Sequence, residues 1–139
     1  MEELKIAFEA INLYQTQYTQ VDKLWGYFSV VTLAMAGFVI GSDRATQSFM
    51  EPIAIVLAYL VFCFGNHLAL VTAQKQLEQF ATIAKSYADK VGLNVSSVDP
   101  MLHTDVKAFH LSVIAAVCLG VIAVAWLRTS HNKKINKDT

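Results

Sequence analysis

Few side chains in this sequence could do chemistry, and most of them stand inside three apolar stretches. Asn66 and His67 are neighbours in IAIVLAYLVFCFGNHLALVTA (Ile53–Ala73). His110 and Ser112 fall in AFHLSVIAAVCLGVIAVAWL (Ala108–Leu127), and Ser29 and Thr32 in LWGYFSVVTLAMAGFVIG (Leu24–Gly41). A histidine can carry a proton near neutral pH, and a serine beside a base can become a nucleophile. Neither role has the second group it needs, because no Lys, Arg, Asp or Glu occurs in the three stretches. His67, His103, His110 and His131 provide no i,i+4 pair, and Cys63 and Cys118 form no CxxC, so no metal site is expected. His103 and His110 share a helical face but stand seven residues apart, too far for one ion held by one chain. Ser112 with His67 is the one conceivable nucleophile–base pair, and its spacing does not support it. No nucleophile elbow, phosphate loop or dinucleotide fingerprint occurs. The expectation is a protein that is not an enzyme and carries no cofactor.

What remains is the chemistry of polar groups in an apolar solvent. Asn66 and His67 lie about three residues past the middle of the second stretch, roughly 5 Å from its midplane at 1.5 Å per residue. Polar groups at that depth must face protein or water, because lipid leaves them unpaired. Ser29, Thr32, Asn66, His67, His110 and Ser112 all fall in one half of the stretches, and the other half is almost wholly apolar, with Tyr59 its one clear hydrogen-bonding group. One reading is a water-filled vestibule ringed by Asn66, followed by a dry constriction near Ala116, Gly120 and Val124 that gates by dewetting. The other is an interhelical bond from Asn66 to Ser29, Thr32 or Ser112. His67 points about 100° away from Asn66, so one lines and the other locks. A proton relay lacks a second station.

The elements that hold these residues follow from composition. Of 139 residues, 55% are hydrophobic and 16% charged, with mean hydropathy +0.42. Soluble domains carry about 25% charged residues, so the chain is expected to be all-α and integral to a membrane. Each stretch is long enough to span about 30 Å of hydrocarbon, which takes about 20 helical residues. Trp25, Tyr27 and Phe28 at one mouth and Trp126 at the other suit the headgroup level. Gly41 stops the first span; Ser48 and Glu51 form a capping box for the second, with Pro52 in its first turn. Gly92 closes a helix, and Asp99-Pro100 predicts that the third helix starts near Pro100. The 23 acidic-leaning residues before the first span argue against a cleaved leader. Equal numbers of acidic and basic residues, 11 of each, remove the electrostatic footprint of a nucleic-acid binder.

Two segments outside the spans are patterned. Leu4, Ala7, Ile11, Tyr14, Tyr18, Val21 and Trp25 alternate spacings of three and four, as do Leu70, Ala73, Leu77, Phe80, Ala84, Tyr87 and Val91. That is a coiled-coil seam. The resulting plan is one membrane domain over residues 1–139. An amphipathic arm (1–23) and spans at 24–41 and 53–73 lead to a second arm (74–91), a span at 108–127 and a basic tail (128–139). The arms emerge on one side and are expected to zip into a helical stalk. Lys5, Lys23, Lys75, Lys85, Lys90 and Lys107 lie on the stalk side, against Arg44, Arg128, Lys133, Lys134 and Lys137 opposite, so positive charge divides six to five. That split barely orients the chain; the basic tail argues for a cytoplasmic C-terminus, and the expected lack of a cleaved leader tips the balance slightly towards a cytoplasmic stalk.

Small residues recur every four positions: Gly37 and Gly41; Gly65, Ala69 and Ala73; Ala108, Ser112, Ala116 and Gly120. In lipid such ladders let helix backbones approach closely, and three of them exceed what one bundle needs. A homo-oligomer in the lipid bilayer is expected.

Around Trp25, Phe28, Ala34, Gly37 and Phe38, and around Phe62, Gly65, Asn66, Ala69, Leu70 and Gln74, the sequence resembles small bacterial membrane proteins with a Gly-Asn pair late in their second helix. The match covers about a third of the chain and implies the inner membrane of a bacterium. In size, three-helix plan and basic tail the chain is also similar to holins, and in economy to small pore-forming effectors of bacterial antiviral defence. The functional expectation is an oligomeric pore or ion channel gated through its stalk by a ligand or partner protein. Its rival is a non-conducting adaptor whose arms hold a partner at the membrane.

Overall fold

The chain forms three helices, α1 (Glu2–Gly41), α2 (Met50–Lys90) and α3 (His103–Ile135). The structure is a computed structural model and describes residues 1–41, 50–95 and 98–135, with side chains through residue 130. All three helices are long and apolar enough to cross a membrane. At 40 and 41 residues, α1 and α2 are each about twice the length that a bilayer core requires. Ser48 of the expected capping box, Arg44 and Lys137 lie outside the described residues, as do the side chains of His131, Lys133 and Lys134. Pro52 is buried in the first turn of α2, where its missing N–H costs nothing.

The end of α2 follows from one residue. Gly92 adopts φ +70°, a conformation that costs a glycine little. Its N–H donates to the Asp89 carbonyl at 3.2 Å, and the Leu93 N–H reaches the Ala88 carbonyl at 2.9 Å. That pair of bonds is a Schellman stop. The start of α3 departs from expectation. It begins at His103 rather than near Pro100, because the Leu102 carbonyl is the first to accept helical N–H groups, from Asp105 and Val106 at 3.0 Å each. Asp99 is engaged elsewhere, in a 2.7 Å ion pair with Lys85. At its other end α3 continues to Ile135, so the first part of the basic tail is helical.

The chain divides into two compact units. The first comprises Met1–Gly26 and His67–Phe109. Its core joins Ala10, Tyr14 and Val21 of α1 to Leu70, Ala73, Leu77, Ala81 and Ala84 of α2, with Val98 and Val106 added from the connector and α3. An alanine-rich seam lets two helices pack at the short end of the usual 8–10 Å separation. Of the predicted seam positions, Leu4 and Tyr18 are exposed and the others are buried or half-buried. Ala7, Tyr14 and Val21 are buried as expected; Ile11 is half-buried and packs against the core beside the buried Ala10, and the half-buried Gln17 stands where Tyr18 was expected. On α2, Ala81 and Ala88 are buried, and Phe80 and Tyr87 are only half-buried. A straight helix with 3.6 residues per turn drifts about 20° per heptad from a 3.5-residue repeat, so the contact line shifts by one residue.

The second unit comprises Tyr27–Asn66 and His110–Thr139. Its buried side chains include Phe28, Met35 and Val39 of α1, Val56, Tyr59 and Cys63 of α2, and Ile114, Val121 and Ala125 of α3. Arg128 closes one end. Its guanidinium donates to the carbonyls of Val39 at 3.3 Å and Ile40 at 2.7 Å, groups that the last turn of α1 leaves without helical partners.

Candidate functional site

The polar residues of the second unit are held by one another. Asn66, 8% exposed, extends from α2 so that its Nδ2 lies 3.4 Å from Nε2 of the fully buried His110 on α3. The Phe28 ring of α1 packs on the same imidazole with centroids 4.3 Å apart. Three helices therefore meet at one buried histidine. Farther along, Thr32 Oγ1 and the Tyr59 hydroxyl lie 2.8 Å apart and bond α1 to α2. Among the described residues no buried side-chain nitrogen or oxygen lacks a partner. Asn66 thus pairs with His110, which was not among the Ser29, Thr32 and Ser112 anticipated from sequence. Thr32 instead pairs with Tyr59, the polar group of the otherwise dry half.

The other anticipated residues lie on the outer faces. Ser29, Gly37, Gly41, Gly65, Ala69, Ala108, Ser112, Ala116 and Gly120 are exposed, and His67 and Val124 are half-buried. A Cβ built on Gly37, Gly41, Gly65 or Gly120 meets no atom within 4 Å. Only Ala73 of the three ladders is buried within the chain. The α3 ladder also winds. Successive i,i+4 positions turn by about 40° at 3.6 residues per turn, so Ala108, Ser112 and Ala116 face away from the packing while Gly120 and Val124 swing towards α1. There they border an apolar groove of about 230 Å³ shared with Ala36, Val39 and Ile40.

A second polar constellation, in the first unit, was not anticipated. Three side chains on one stripe of α2 grip the connector and the start of α3. Gln74, 3% exposed, donates from Nε2 to the Met101 carbonyl at 2.5 Å. The Glu78 carboxylate accepts the His103 backbone N–H and lies 3.0 Å from that residue's Nδ1. Lys85 pairs with Asp99. Glu78 therefore caps α3 from a neighbouring helix, in place of the expected Asp99 cap. The available signal was Gln74 and Glu78 at i,i+4, each directly following an apolar seam position, Ala73 and Leu77. Gln17 plays a similar part between the arms, donating to the Ala73 carbonyl at 3.1 Å and to Gln76 Oε1 at 3.3 Å.

No known family model matches the chain, and neither a curated protein nor a solved structure does.

Proposed function

We propose that copies of this chain assemble in a membrane around a common axis and form a pore between them, controlled through the arms of the first unit. The observation that carries this reading is the outward placement of the small residues. Ala108, Ser112 and Ala116 on α3, Gly65 and Ala69 on α2, and Gly37 and Gly41 on α1 are exposed in the single chain, where they hold open room for another helix. Only 17%, 28% and 22% of the most apolar windows of α1, α2 and α3 are buried within the chain. That leaves apolar faces outermost, as suits a lipid solvent.

In this reading the polar residues divide their labour. Asn66, His110, Thr32 and Tyr59 fix the helices of one copy. Ser112 provides the polar rung of the path between copies, and Ala116 leads into the dry half, where Leu119 is 67% exposed. α1 and α2 each contribute to both units, and in this reading a partner that binds the arms supplies the control signal. A bacterial inner membrane with the arms in the cytoplasm is the location we assign.

A specific observation favours the rival reading as an adaptor. One edge of α1 in the first unit leaves Leu4 42%, Phe8 56% and Tyr18 48% exposed, and such an edge suits a partner helix. The mass of the particle in lipid nanodiscs separates the two readings. A ring of four or more chains supports the pore, and a monomer or dimer supports the adaptor.

A further inference from the structure

We infer that the groove between the C-terminal halves of α1 and α3 seats an acyl chain of an anionic phospholipid, whose phosphate is drawn to Arg128. The inference rests on the membrane reading above and adds a ligand to it.

The groove is bordered by Ala36, Val39 and Ile40 on α1 and by Val117, Gly120 and Val124 on α3. Its volume of about 230 Å³ equals more than seven waters at about 30 Å³ each, yet water needs polar partners and this lining has none. An apolar tenant is therefore favoured. The groove exists because Gly120 brings no side chain to it, and nothing lies within 4 Å of where a Cβ would stand.

Charge selects the kind of tenant. Arg128 follows Val124 by one helical turn and reaches across to the carbonyls of Val39 and Ile40, both groove residues. The cation thus sits at the end of the apolar trough, the arrangement of a headgroup site above an acyl chain. Arginine suits phosphate because its charge is permanent and its donors lie in a plane. The segments joined to this end of the helices carry Arg44, Arg128, Lys133, Lys134 and Lys137 against Asp43, Glu51 and Asp138. That excess of positive charge attracts anionic lipid.

Native mass spectrometry of the full chain, released from detergent with equal amounts of phosphatidylglycerol and phosphatidylcholine of matched acyl chains, reads the site. Phosphatidylglycerol should be retained about fivefold over phosphatidylcholine, at about 1 kcal/mol per basic side chain near anionic lipid. Arg128→Gln should bring the ratio close to one, and Arg128→Lys should restore most of it. Gly120→Leu fills the groove without touching Arg128 and should lower retention, with helix content by circular dichroism unchanged. Equal retention of both lipids overturns the inference, as does a preference that survives both Arg128→Gln and Gly120→Leu. A Gly120→Leu chain that keeps its lipid but loses its oligomer would assign the groove to a second copy instead. An alkaline carbonate wash of membranes holding the chain tests the prior reading separately. A chain left in the pellet without lipid preference fails only the lipid site; a chain released to the supernatant fails the membrane reading as well.

Discussion

The Asn66 amide and the His110 imidazole face each other at 3.4 Å across the packing of α2 against α3, and both are buried. A buried donor and acceptor are worth more as a pair than as separate groups, because losing one strands the other. This pair makes Asn66 a fastening of the second unit rather than a face turned outwards.

Asn66→Leu should lower the stability of the purified chain by about 1 kcal/mol, near the values found for hydrogen bonds between membrane helices. Reversible denaturation in sodium dodecyl sulfate measures it. In a cycle with His110→Phe, which keeps the ring against Phe28, the double variant should lose clearly less than the two singles added. Strict additivity would mean that the two side chains do not interact.

The grip of α2 on the connector gives a local prediction. Glu78→Ala removes the acceptor of the His103 N–H and should cost about 1 kcal/mol, as loss of a helix cap does. Amide hydrogen exchange over the first turn of α3, His103–Val106, should accelerate, while exchange around Ile114–Val121 should not change. Glu78→Gln, which keeps an acceptor in place, should fall between wild type and Glu78→Ala.

Tyr14 should make the first unit sensitive to alkali. Burial holds its phenol above the ordinary 10.0, with Tyr18 and Asp99 adding to the rise and Lys85 opposing it. The folded state therefore favours the protonated phenol more than the unfolded state does. The stability this contributes is complete below the unfolded pKa and is lost as pH rises through the folded value. Helix content followed by circular dichroism from about pH 9 to about pH 12 should fall later in Tyr14→Phe than in wild type. Identical alkaline curves would contradict the assignment.

Contact between copies through the outer face of α3 can be read by oxidation. In a background with Cys63 and Cys118 replaced by Ala, Ser112→Cys or Ala116→Cys should give disulfide-linked dimers in membranes. Ile114→Cys, which is buried within its own chain at 8% exposure, should not. Equal cross-linking at all three positions would indicate collision rather than an interface.

The helices were legible because apolar length is a strong signal: each of the spans read from sequence lies inside one of the three helices. The stop at Gly92 was legible for the same kind of reason, since a left-handed residue after a helix calls for glycine. The seam was legible only to within one position. Tyr18 and Gln17 are adjacent, and a 3.5-residue pattern favours the tyrosine. The geometry leaves Tyr18 exposed and half-buries the glutamine, whose amide reaches the Ala73 carbonyl.

The polar layer was legible as a set and not as pairs. Depth in the apolar stretch showed that Asn66 needs a partner. Choosing His110 over Ser112 required knowing how α3 is rotated, and its apolar residues, spread around the whole helix, do not record that. Arg128 read from sequence as part of a basic tail. Its role on α1 appears only once the ends of α1 and α3 come together. Glu78 escaped because a helix cap usually comes from the residue just before the helix, and here it comes from a residue 25 positions earlier.

Release of a trapped dye from liposomes containing the purified full chain tests the central claim most directly. Wild type should release dye at a rate that rises with protein density. Ala116→Leu, which narrows the face between copies without entering the core of any one copy, should reduce it several-fold. No release by wild type at any density, together with none from a chain whose first 23 residues are deleted, would contradict the pore and leave the adaptor.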